Sequence, residues 1–238
     1  MKQEFAFPHY LDRVGYRGAL GATEETLFAL HRAQVFSIPF ENLDPLMGRS
    51  VHLEPEALVE KLIHRKRGGY CFELNGLFLL ALQSLGYSTR SLAARVSIRE
   101  GFYSKRSHQI TLIEGNNRRW IADVGFGGNG LLEPIPLEIG REVDQTLERF
   151  RIMADEAYGY RLEHVLKDQW RTLYAFSLDP YLAVDYQLMN YYTSQSPDSI
   201  FTRVPLCSIP KGKQRIILYG DELKIRDAEE KTSVPVKT

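Results

Sequence analysis

The strongest periodic pattern in the chain follows Cys71. Apolar residues recur there at three- and four-residue steps, which places them on one face of a helix that stops at Gly86. The apolar stripe consists of Leu74, Leu77, Phe78, Ala81, Leu82 and Leu85. The pattern therefore predicts a helix with the cysteine in its first turn.

Two more helices are predicted upstream. Thr23 is a good N-cap residue, and two glutamates and further apolar residues follow it at helical spacing. Pro55 can open a second helix, and Gly68 is expected to end it. Pro39 and Pro45 predict a loop between these two helices. The apolar face of the second helix consists of Leu58, Val59, Leu62 and Ile63.

The hydrophobic pattern changes after Gly86. Residues 89–98, 108–126 and 150–177 contain short β-prone runs separated by polar or glycine-rich turns, which is typical of an antiparallel sheet or a small barrel. Beyond residue 185 the pattern is mixed, with a strand-like run at residues 215–218. The charged tail from Asp227 is expected to fray.

The composition narrows the functional classes. The 238 residues include 30 Lys and Arg against 30 Asp and Glu, a balance that gives no indication of nucleic acid or an acidic membrane surface as a partner. The longest apolar run, residues 77–82, is too short to cross a bilayer, and the N-terminal segment does not resemble a signal peptide. Two cysteines without CxxC or clustered His/Cys spacing predict neither a disulfide framework nor a metal site. A reducing cytoplasm fits these features best.

Cys71 is the strongest candidate for a catalytic residue. It follows the pair Gly68 and Gly69 and stands in the first helical turn, where unpaired amides and the helix dipole favour a thiolate over a thiol. The same amides can hold an oxyanion that forms beside the sulfur. Most cysteines are small buried hydrophobic residues, and Cys207, which lacks such a setting, is predicted to be one of them.

A geometric argument links His108 to Asp123. The β-prone segments on either side of residue 115 read as two strands of a hairpin. If Gly115 and Asn116 form a tight turn, paired residue numbers sum to 231, and His108 stands opposite Asp123 with Cβ atoms about 5 Å apart. A turn one residue further along would shift the sum to 233 and set His108 against Gly125. In the first register the carboxylate can orient the imidazole.

A cysteine nucleophile needs a base and a group that orients the base. Cys71, His108 and Asp123 can fill these roles in that order. The glycine-rich run at residues 125–128 can simply turn the chain, or it can let backbone amides approach a phosphate or a thioester. The remaining histidines are predicted to be solvated or packing residues without an opposed carboxylate: His9, His31, His52, His64 and His164.

Six segments resemble motifs of the arylamine N-acetyltransferase family and occur in the family's order. They are PFEN (39–42), RGGYCFELN (67–75), ARV (94–96), SHQ (107–109), DVGFGG (123–128) and SPDSIF (196–201). The glycine-cysteine segment is highly specific, whereas the last segment is moderately so. Because Glu41 and Arg67 lie within the two best-matching motifs, we expect them to form a buried ion pair beside the cysteine loop.

The resemblance implies an α+β fold whose catalytic core is similar to that of cysteine proteases and transglutaminases. A helical first domain (residues 1–86) would carry the nucleophile helix, and an antiparallel β-barrel domain (residues 87–185) would carry the histidine and the aspartate. A short α/β lid (residues 186–238) would follow. Since family members usually continue for some tens of residues and end in a helix, the lid is expected to be shortened at its C-terminus.

The resemblance also implies a ping-pong reaction. Acetyl-CoA, a co-substrate and not a permanently bound cofactor, would acetylate Cys71, and an arylamine, arylhydrazine or N-hydroxyarylamine would then take the acetyl group. The implied pocket for the aromatic ring consists of Phe40, Val96, Phe126 and Phe201. Gly127 and Gly128 would lie near the CoA pyrophosphate.

Three other functions remain open from the sequence. An amide synthase that closes a macrocycle would use the same three residues. A transglutaminase-like cysteine hydrolase would turn over a thioester without an amine acceptor. A binding protein that has lost turnover would bind ligands without forming an acetyl-cysteine. The sequence does not indicate an oligomeric state.

Overall fold

The chain begins with helices and continues with two antiparallel sheets. A computed structural model describes residues 5, 7–115, 118–227 and 231–236. In these residues the α-helices are α1 (Phe7–Val14), α2 (Glu24–Ser37), α3 (Leu43–Leu46), α4 (Pro55–Leu58), α5 (Cys71–Ser84) and α6 (Ala183–Gln195). A short 3₁₀-helix covers Ile200–Thr202.

The helix that follows the cysteine matches its prediction. Helix α5 begins at Cys71 and ends just before Gly86, whose φ of +83° takes the chain out of the helix. The predicted apolar stripe is fully buried except for Leu85, which is half-buried. The N-cap prediction for α2 is also confirmed, since the Thr23 side chain accepts a hydrogen bond from the Thr26 amide at 3.2 Å.

The second predicted helix ends earlier than expected. It starts at Pro55 as α4 and continues as a wider π-helical segment over Val59–His64. Lys66 has a φ of +52°, so the chain leaves the helix before Gly68 is reached. The segment between Pro39 and Pro45 was predicted to be a loop, but it contains strand β1 (Phe40–Glu41) and the start of α3.

The middle of the chain forms one antiparallel, barrel-like sheet of eight strands, in the order β5-β4-β3-β2-β9-β8-β7-β6. This confirms the predicted α+β class with a β-barrel middle region. Its strands are β2 (Ser88–Arg99), β3 (Phe102–Glu114), β4 (Arg119–Ala122), β5 (Ile135–Pro136), β6 (Glu142–Asp144), β7 (Arg149–Asp155), β8 (Gly159–Leu166) and β9 (Gln169–Phe176).

The hairpin register between β3 and β4 differs from the first of the two predicted registers. Glu114 pairs with Arg119 and Thr111 with Ala122, so paired residue numbers sum to 233 and not to 231. The reason is that the Gly115 amide bonds to the Arg118 carbonyl at 2.9 Å, which extends the ladder through the glycine. The predicted turn also includes Asn116, which lies outside the described residues.

A second antiparallel sheet contains the C-terminal strands and β1, in the order β1-β10-β11-β12-β13. The C-terminal strands are β10 (Leu206–Lys211), β11 (Gln214–Tyr219), β12 (Glu222–Arg226) and β13 (Lys231–Pro235). The strand predicted at residues 215–218 therefore lies within β11. The expected fraying of the tail is wrong for β13, because this strand continues the ladder beside β12 and sets Val234 opposite Leu223.

Two hydrophobic clusters support the site described below. One lies between the N-terminal helices and includes α5 together with the outer side of β3 and β4. The other fills the inside of the barrel-like sheet. Residues alternate along β3 between the two clusters, with Ile110 and Leu112 in the barrel cluster and Ile113 in the helical one. Helix α5 is thereby packed firmly against the strand that carries His108.

Candidate active site

Cys71 is the first residue of α5, as the sequence predicts. Its side chain is 3% exposed, and the sulfur lies 3.5 Å from the carbonyl oxygen of Ser107. The preceding glycines allow strand β1 to pass very close, because a Cβ atom at Gly68 would lie 2.3 Å from the Pro39 carbonyl oxygen. The Glu41 amide then bonds to the Gly69 carbonyl at 2.9 Å. The glycine pair therefore fixes the loop at residues 67–70, which leads into Cys71, against β1.

His108 and Asp123 are bonded to each other in the interior. The distance between His108 Nε2 and Asp123 Oδ2 is 2.7 Å, and the two residues are 2% and 1% exposed. With Nε2 occupied, the other ring nitrogen, Nδ1, is left for the Cys71 thiol, which interacts with the imidazole. The structure thus brings the three residues of the predicted triad into one buried site.

The electrostatics of the pair favour a charged imidazole. Burial works against protonation, but the charge and hydrogen bond of Asp123 and the neighbouring Cys71 outweigh it and raise the pKa of His108 to about 10. Burial also opposes the ionisation of Asp123 and by itself would raise its pKa. The charge of His108 and the hydrogen bonds from His108, Asn75 and Gly125 outweigh burial and hold the pKa of Asp123 below its usual range. Both groups are therefore ionised at neutral pH.

Asp123 is held by three further groups besides His108. Its Oδ1 atom accepts hydrogen bonds from Asn75 Nδ2 and from the Gly125 amide, both at 3.0 Å. Its backbone amide donates to His31 Nε2 at 3.2 Å. Asn75 also accepts a hydrogen bond from the Val124 amide at 3.0 Å. The carboxylate is thus anchored to α5 and to its own loop, and the backbone of Asp123 is anchored to α2, even though the residue lies just beyond the end of β4.

His31 was predicted to be only a solvated or packing residue, and the structure gives it a more specific place. It is fully buried, its Nδ1 lies 3.1 Å from the Leu132 carbonyl, and its Nε2 accepts the Asp123 amide. Since a carbonyl can only accept, the proton is on Nδ1. Burial lowers the pKa of His31 to about 4, so the ring is neutral at neutral pH. No periodicity or motif in the sequence points to this contact, which spans 92 residues.

His164 also departs from its prediction. It was expected to lack an opposed carboxylate, yet its Nδ1 lies 3.5 Å from Glu148 Oε2 in the interior. The two residues belong to neighbouring parts of the barrel-like sheet that only the folded topology brings together.

Gly125 belongs to the glycine-rich run at residues 125–128, and the structure gives it a role that the sequence did not predict. A Cβ atom at this position would lie 2.7 Å from Asn75 Nδ2 and 3.0 Å from both Cα and the carbonyl oxygen of Cys71. Such distances leave no room for a side chain. Glycine is therefore required here because the aspartate loop passes directly over the start of α5.

Two residues of the PFEN segment, Glu41 and Asn42, are buried. Glu41 pairs with Arg67 at 2.7 Å as predicted, but Arg67 is 30% exposed, so the pair is partly buried; Arg67 also bonds to Asp44 at 2.8 Å. Asn42 is fully buried and donates its amide hydrogens to the carbonyls of Phe201 and Val204, at 2.9 and 2.8 Å. Its Oδ1 accepts the Leu206 amide at 2.7 Å. Asn42 therefore ties the end of β1 to the segment that carries Phe201.

Glu73 completes the start of α5. Its Oε2 accepts a hydrogen bond from the Tyr70 amide at 3.0 Å, and its Oε1 lies 2.7 Å from Lys61 Nζ. Lys61 in turn pairs with Asp44 at 2.8 Å. A connected set of charges thus lies behind the helix start and fixes the backbone next to the nucleophile.

The four residues predicted to form the pocket for the aromatic ring make different contacts, and Phe126 is the one that packs against a residue of the triad. The Phe126 ring is 5.3 Å from the His108 ring and roughly perpendicular to it, while the Phe40 and Phe201 ring centres are 6.0 Å apart. Val96 lies on β2 and pairs with Tyr174. Tyr174, a residue that the sequence reading missed, packs its ring 5.2 Å from His108 and 5.5 Å from Phe126.

Gly127 and Gly128, which were predicted to approach CoA, follow directly after Phe126. Gly127 and Gly128 both have positive φ, +70° and +35°, and a Cβ atom at Gly127 would lie 2.9 Å from the Phe40 ring. The Gly128 amide donates to Ser208 Oγ at 3.0 Å, so it is already engaged with β10. The loop is therefore held between Phe40 and the C-terminal sheet.

Cys207 lies on a strand and lacks the helix-start setting of Cys71. It is half-buried on β10, and burial, with a further contribution from Glu41, raises its pKa above the usual value for a thiol. Among the described residues no three His, Cys, Asp or Glu side chains cluster closely enough to hold a metal ion. Within the same part of the chain, no helix has the length and apolarity needed to span a membrane.

Comparisons with known proteins find N-acetyltransferases. A family model described as N-acetyltransferase matches residues 23–238. The arylamine N-acetyltransferase of Mycobacterium tuberculosis is 36% identical over 225 residues, which cover 92% of this chain and 79% of that protein. The arylamine N-acetyltransferase / N-hydroxyarylamine O-acetyltransferase of Salmonella typhimurium is 38% identical over 180 residues, 75% of this chain and 64% of that protein.

Solved structures are similar throughout the chain. The arylamine N-acetyltransferase from Salmonella typhimurium superposes with a TM-score of 0.93 at 31% identity, covering 100% of this chain and 87% of the other. The Mycobacterium marinum arylamine N-acetyltransferase in complex with CoA has a TM-score of 0.92 at 34% identity, covering 97% of this chain and 87% of that one.

Proposed function

Because the chain belongs to the arylamine N-acetyltransferase family, we propose that Cys71 carries an acetyl group from acetyl-CoA to an arylamine, arylhydrazine or N-hydroxyarylamine. Family membership makes the protein an acyltransferase, with acetyl-CoA as its co-substrate. The roles of individual residues rest on one observation, the buried chain of contacts from Cys71 through His108 to Asp123.

In the first half-reaction the Cys71 thiolate attacks the acetyl carbon of acetyl-CoA. Cys71 stands at the start of α5, beside the His108 imidazole. The amides near Cys71 and Phe126 hold the tetrahedral oxyanion, and losing one such donor typically costs about 3 kcal/mol. When the bond to the CoA sulfur breaks, that sulfur takes the Nδ1 proton of His108. The products are CoA, an acetyl-cysteine and a neutral imidazole.

In the second half-reaction the amine attacks the acetyl-cysteine. His108 Nδ1 accepts the proton that the amine nitrogen loses, and the carbon–sulfur bond to Cys71 breaks, which restores the thiolate and the imidazolium. Asp123 stabilises the imidazolium in both halves and keeps Nδ1 turned to the sulfur. The ring proton therefore leaves and returns at the same atom.

The acceptor must attack as a neutral amine. Anilines are mostly unprotonated at neutral pH, whereas alkylamines are mostly protonated, so the chemistry favours aromatic acceptors. Phe40, Val96, Phe126 and Phe201 are proposed to hold the aromatic ring. Support for this comes from the Phe126 ring, which packs against His108, and from the Phe40 ring, which lies close to Gly127 and 6.0 Å from the Phe201 ring. Gly127 and Gly128 are proposed to lie near the CoA pyrophosphate.

The proposal also includes a division of the chain into three units and a cellular location. We divide the chain into a helical unit (residues 1–86), a barrel unit (residues 87–185) and an α/β lid (residues 186–238). We also propose a cytoplasmic location, where the Cys71 thiol would stay reduced.

Intact-mass measurement of the protein mixed with acetyl-CoA alone tests the chemical role of Cys71. One acetyl group is expected on the Cys71 peptide, and aniline should release it whereas cyclohexylamine, similar in size but protonated, should release it slowly. The matched control is the other cysteine: Cys207→Ala should acetylate normally and Cys71→Ala should not. Acetylation that persists in Cys71→Ala would overturn the proposal, and release by water alone at the same rate as by aniline would favour a hydrolase.

A further inference from the structure

Two side chains of the C-terminal sheet hold the turn that follows Phe126. The turn is closed by a hydrogen bond from the Gly130 amide to the Gly127 carbonyl at 3.0 Å. Ser208 on β10 accepts the Gly128 amide, and the Arg215 guanidinium on β11 donates to the Gly130 carbonyl. The turn at residues 127–130 is thus attached on two sides to strands that lie about 80 residues further along the chain.

Arg215 is an unusual residue for such a contact because it is 4% exposed. Burial lowers its pKa to about 10, which leaves the guanidinium charged at neutral pH. The Glu148 side chain, itself 4% exposed, faces it with 3.6 Å between Arg215 Nε and Glu148 Oε1. Arg215 is therefore fixed by a carbonyl on one side and by a buried carboxylate on the other.

The surroundings of Glu148 strengthen this arrangement. Arg226 on β12 also bonds to Glu148 Oε1, so one carboxylate receives two arginines of the C-terminal sheet. His164 lies 3.5 Å from the other carboxylate oxygen, but burial and then the charge of Arg215 lower its pKa to about 4. A neutral His164 does not compete with the arginines for Glu148 at neutral pH.

Asp123 has anchors that do not belong to this cluster. Asp123 and the following residues are held by Asn75, His31 and the Gly125 amide, all of which lie before the turn at residues 127–130. A change at Arg215 can therefore displace the turn without displacing the carboxylate. This separation gives the cluster a role that can be told apart from general stability.

We propose that Arg215, held by Glu148, is a positioning residue for acetyl-CoA that acts by fixing the turn at residues 127–130. It does so without touching the reacting atoms. The inference rests on the proposed role of Gly127 and Gly128 near the CoA pyrophosphate. If the turn is mobile, only a fraction of molecules present it correctly, and the apparent affinity for the donor falls by that fraction.

The test compares two acetyl donors, acetyl-CoA and p-nitrophenyl acetate, which has no pyrophosphate. Single-turnover acetylation of Cys71 is measured against the concentration of each donor for the wild type, Arg215→Met and Glu148→Gln. With acetyl-CoA the half-saturating concentration should rise by about tenfold in Arg215→Met, because a buried charged hydrogen bond to the turn is lost. With p-nitrophenyl acetate the rate should stay within about twofold of the wild type, since that donor does not need the turn.

Two other variants distinguish a displaced turn from a general loss of folding. Ser208→Ala removes the second attachment of the turn and should give a smaller shift confined to acetyl-CoA. Arg149→Met is the matched control, because Arg149 is about half exposed and pairs only with Asp144 and Glu142 among the charges described. It should leave both donors unchanged. Should Arg215→Met not fold, Arg215→Lys and Ser208→Ala decide the question in its place.

The outcomes for the positioning role of Arg215 differ from those for the catalytic role of Cys71. An equal loss with both donors, or no change with acetyl-CoA in folded Arg215→Met, would overturn the positioning role. Failure of wild-type Cys71 to acetylate with either donor would instead overturn the proposed function. A shift confined to acetyl-CoA, in both Arg215→Met and Ser208→Ala, supports the positioning role.

Discussion

Replacement of Asp123 by asparagine tests the electrostatic core of the site with little change in shape. The carboxylate is 1% exposed and accepts three hydrogen bonds, from His108, Asn75 and the Gly125 amide. In Asp123→Asn the amide oxygen can keep the last two. The amide nitrogen then faces His108 Nε2 as a donor, so Nε2 must accept and the ring proton moves to Nδ1. A neutral ring with its proton on Nδ1 cannot take a proton from the sulfur or the amine.

The expected size of the effect follows from the pKa of His108. The rise from 6.5 to about 10 corresponds to about 5 kcal/mol in favour of the imidazolium. Asp123 is the main cause of the rise, while burial opposes it, so the pKa in Asp123→Asn should fall below 6.5. At neutral pH the imidazolium then becomes a minor species. Together with the wrong tautomer, this should slow Cys71 acetylation by about 10³–10⁴-fold.

The assay is single-turnover acetylation of Cys71 by acetyl-CoA across a range of pH, followed by quenching and mass measurement. In the wild type the activity that depends on the imidazolium should persist until the pH approaches about 10 and fall beyond it. In Asp123→Asn the remaining activity should fall at a pH below 7. Glu163→Gln is the control, because it removes another buried carboxylate of the barrel-like sheet that pairs with Arg151 and Arg161.

The stability of the fold supplies a second readout with a defined sign. The folded-state pKa of His108 lies above its unfolded value, so its contribution to stability is complete below pH 6.5 and is lost as the pH rises from 6.5 to about 10. Asp123→Asn should remove this dependence. Wild-type turnover and an unchanged pH profile in a folded Asp123→Asn protein would refute the assigned role of the carboxylate.

Three further substitutions test the contacts around the triad. In Gly125→Ala a Cβ atom 3.0 Å from Cys71 Cα must displace the loop, so acetylation should slow by about 100-fold; a wild-type rate would show that the close approach is unimportant. His31→Phe should destabilise the fold by about 2 kcal/mol, because it leaves the Asp123 amide unpaired. Since burial lowers the pKa of His31 from 6.5 to about 4, the wild type loses stability as the pH falls from 6.5 to 4, and its advantage over His31→Phe should shrink. Denaturant titrations at pH 7 and at a pH near 4 check this. Glu41→Gln should cost about 2 kcal/mol, less than a fully broken buried pair because Arg67 keeps Asp44, and an unchanged melting temperature would argue against a stabilising pair.

The sequence predicts local features well where they depend on neighbouring residues. The start of α5 at Cys71, the end near Gly86 and the cap at Thr23 follow from short-range rules, and all three are found in the structure. The α+β class follows from the change of hydrophobic period after Gly86. The early end of the second helix was not predictable in this way, because it depends on a positive φ at Lys66, where no glycine signals a break.

Contacts that join distant segments were largely beyond the sequence. His31 and Asn42 have no local pattern that marks them, yet one binds the Asp123 amide and the other binds carbonyls about 160 residues away. Arg215 and Glu148 come together only because two sheets pack against each other. Such contacts depend on topology, which a single sequence does not fix.

His108 and Asp123 are neighbours in the structure although the register of their hairpin differs from the first predicted one. The two possible two-residue turns differ by two in the sum of paired residue numbers, so either choice leaves the same side chains on the same face of the hairpin. In the observed register His108 aligns with the position of Gly125, and Asp123 becomes its diagonal neighbour on that face. Since β4 ends at Ala122, the aspartate is free of the ladder, and its side chain can close the remaining distance to 2.7 Å. A register error of a single residue would have put the two groups on opposite faces. The hydrophobic pattern therefore determines that both side chains lie on the same face of the hairpin. Asn75, His31 and the close approach at Gly125 then hold Asp123 where it can bond to His108.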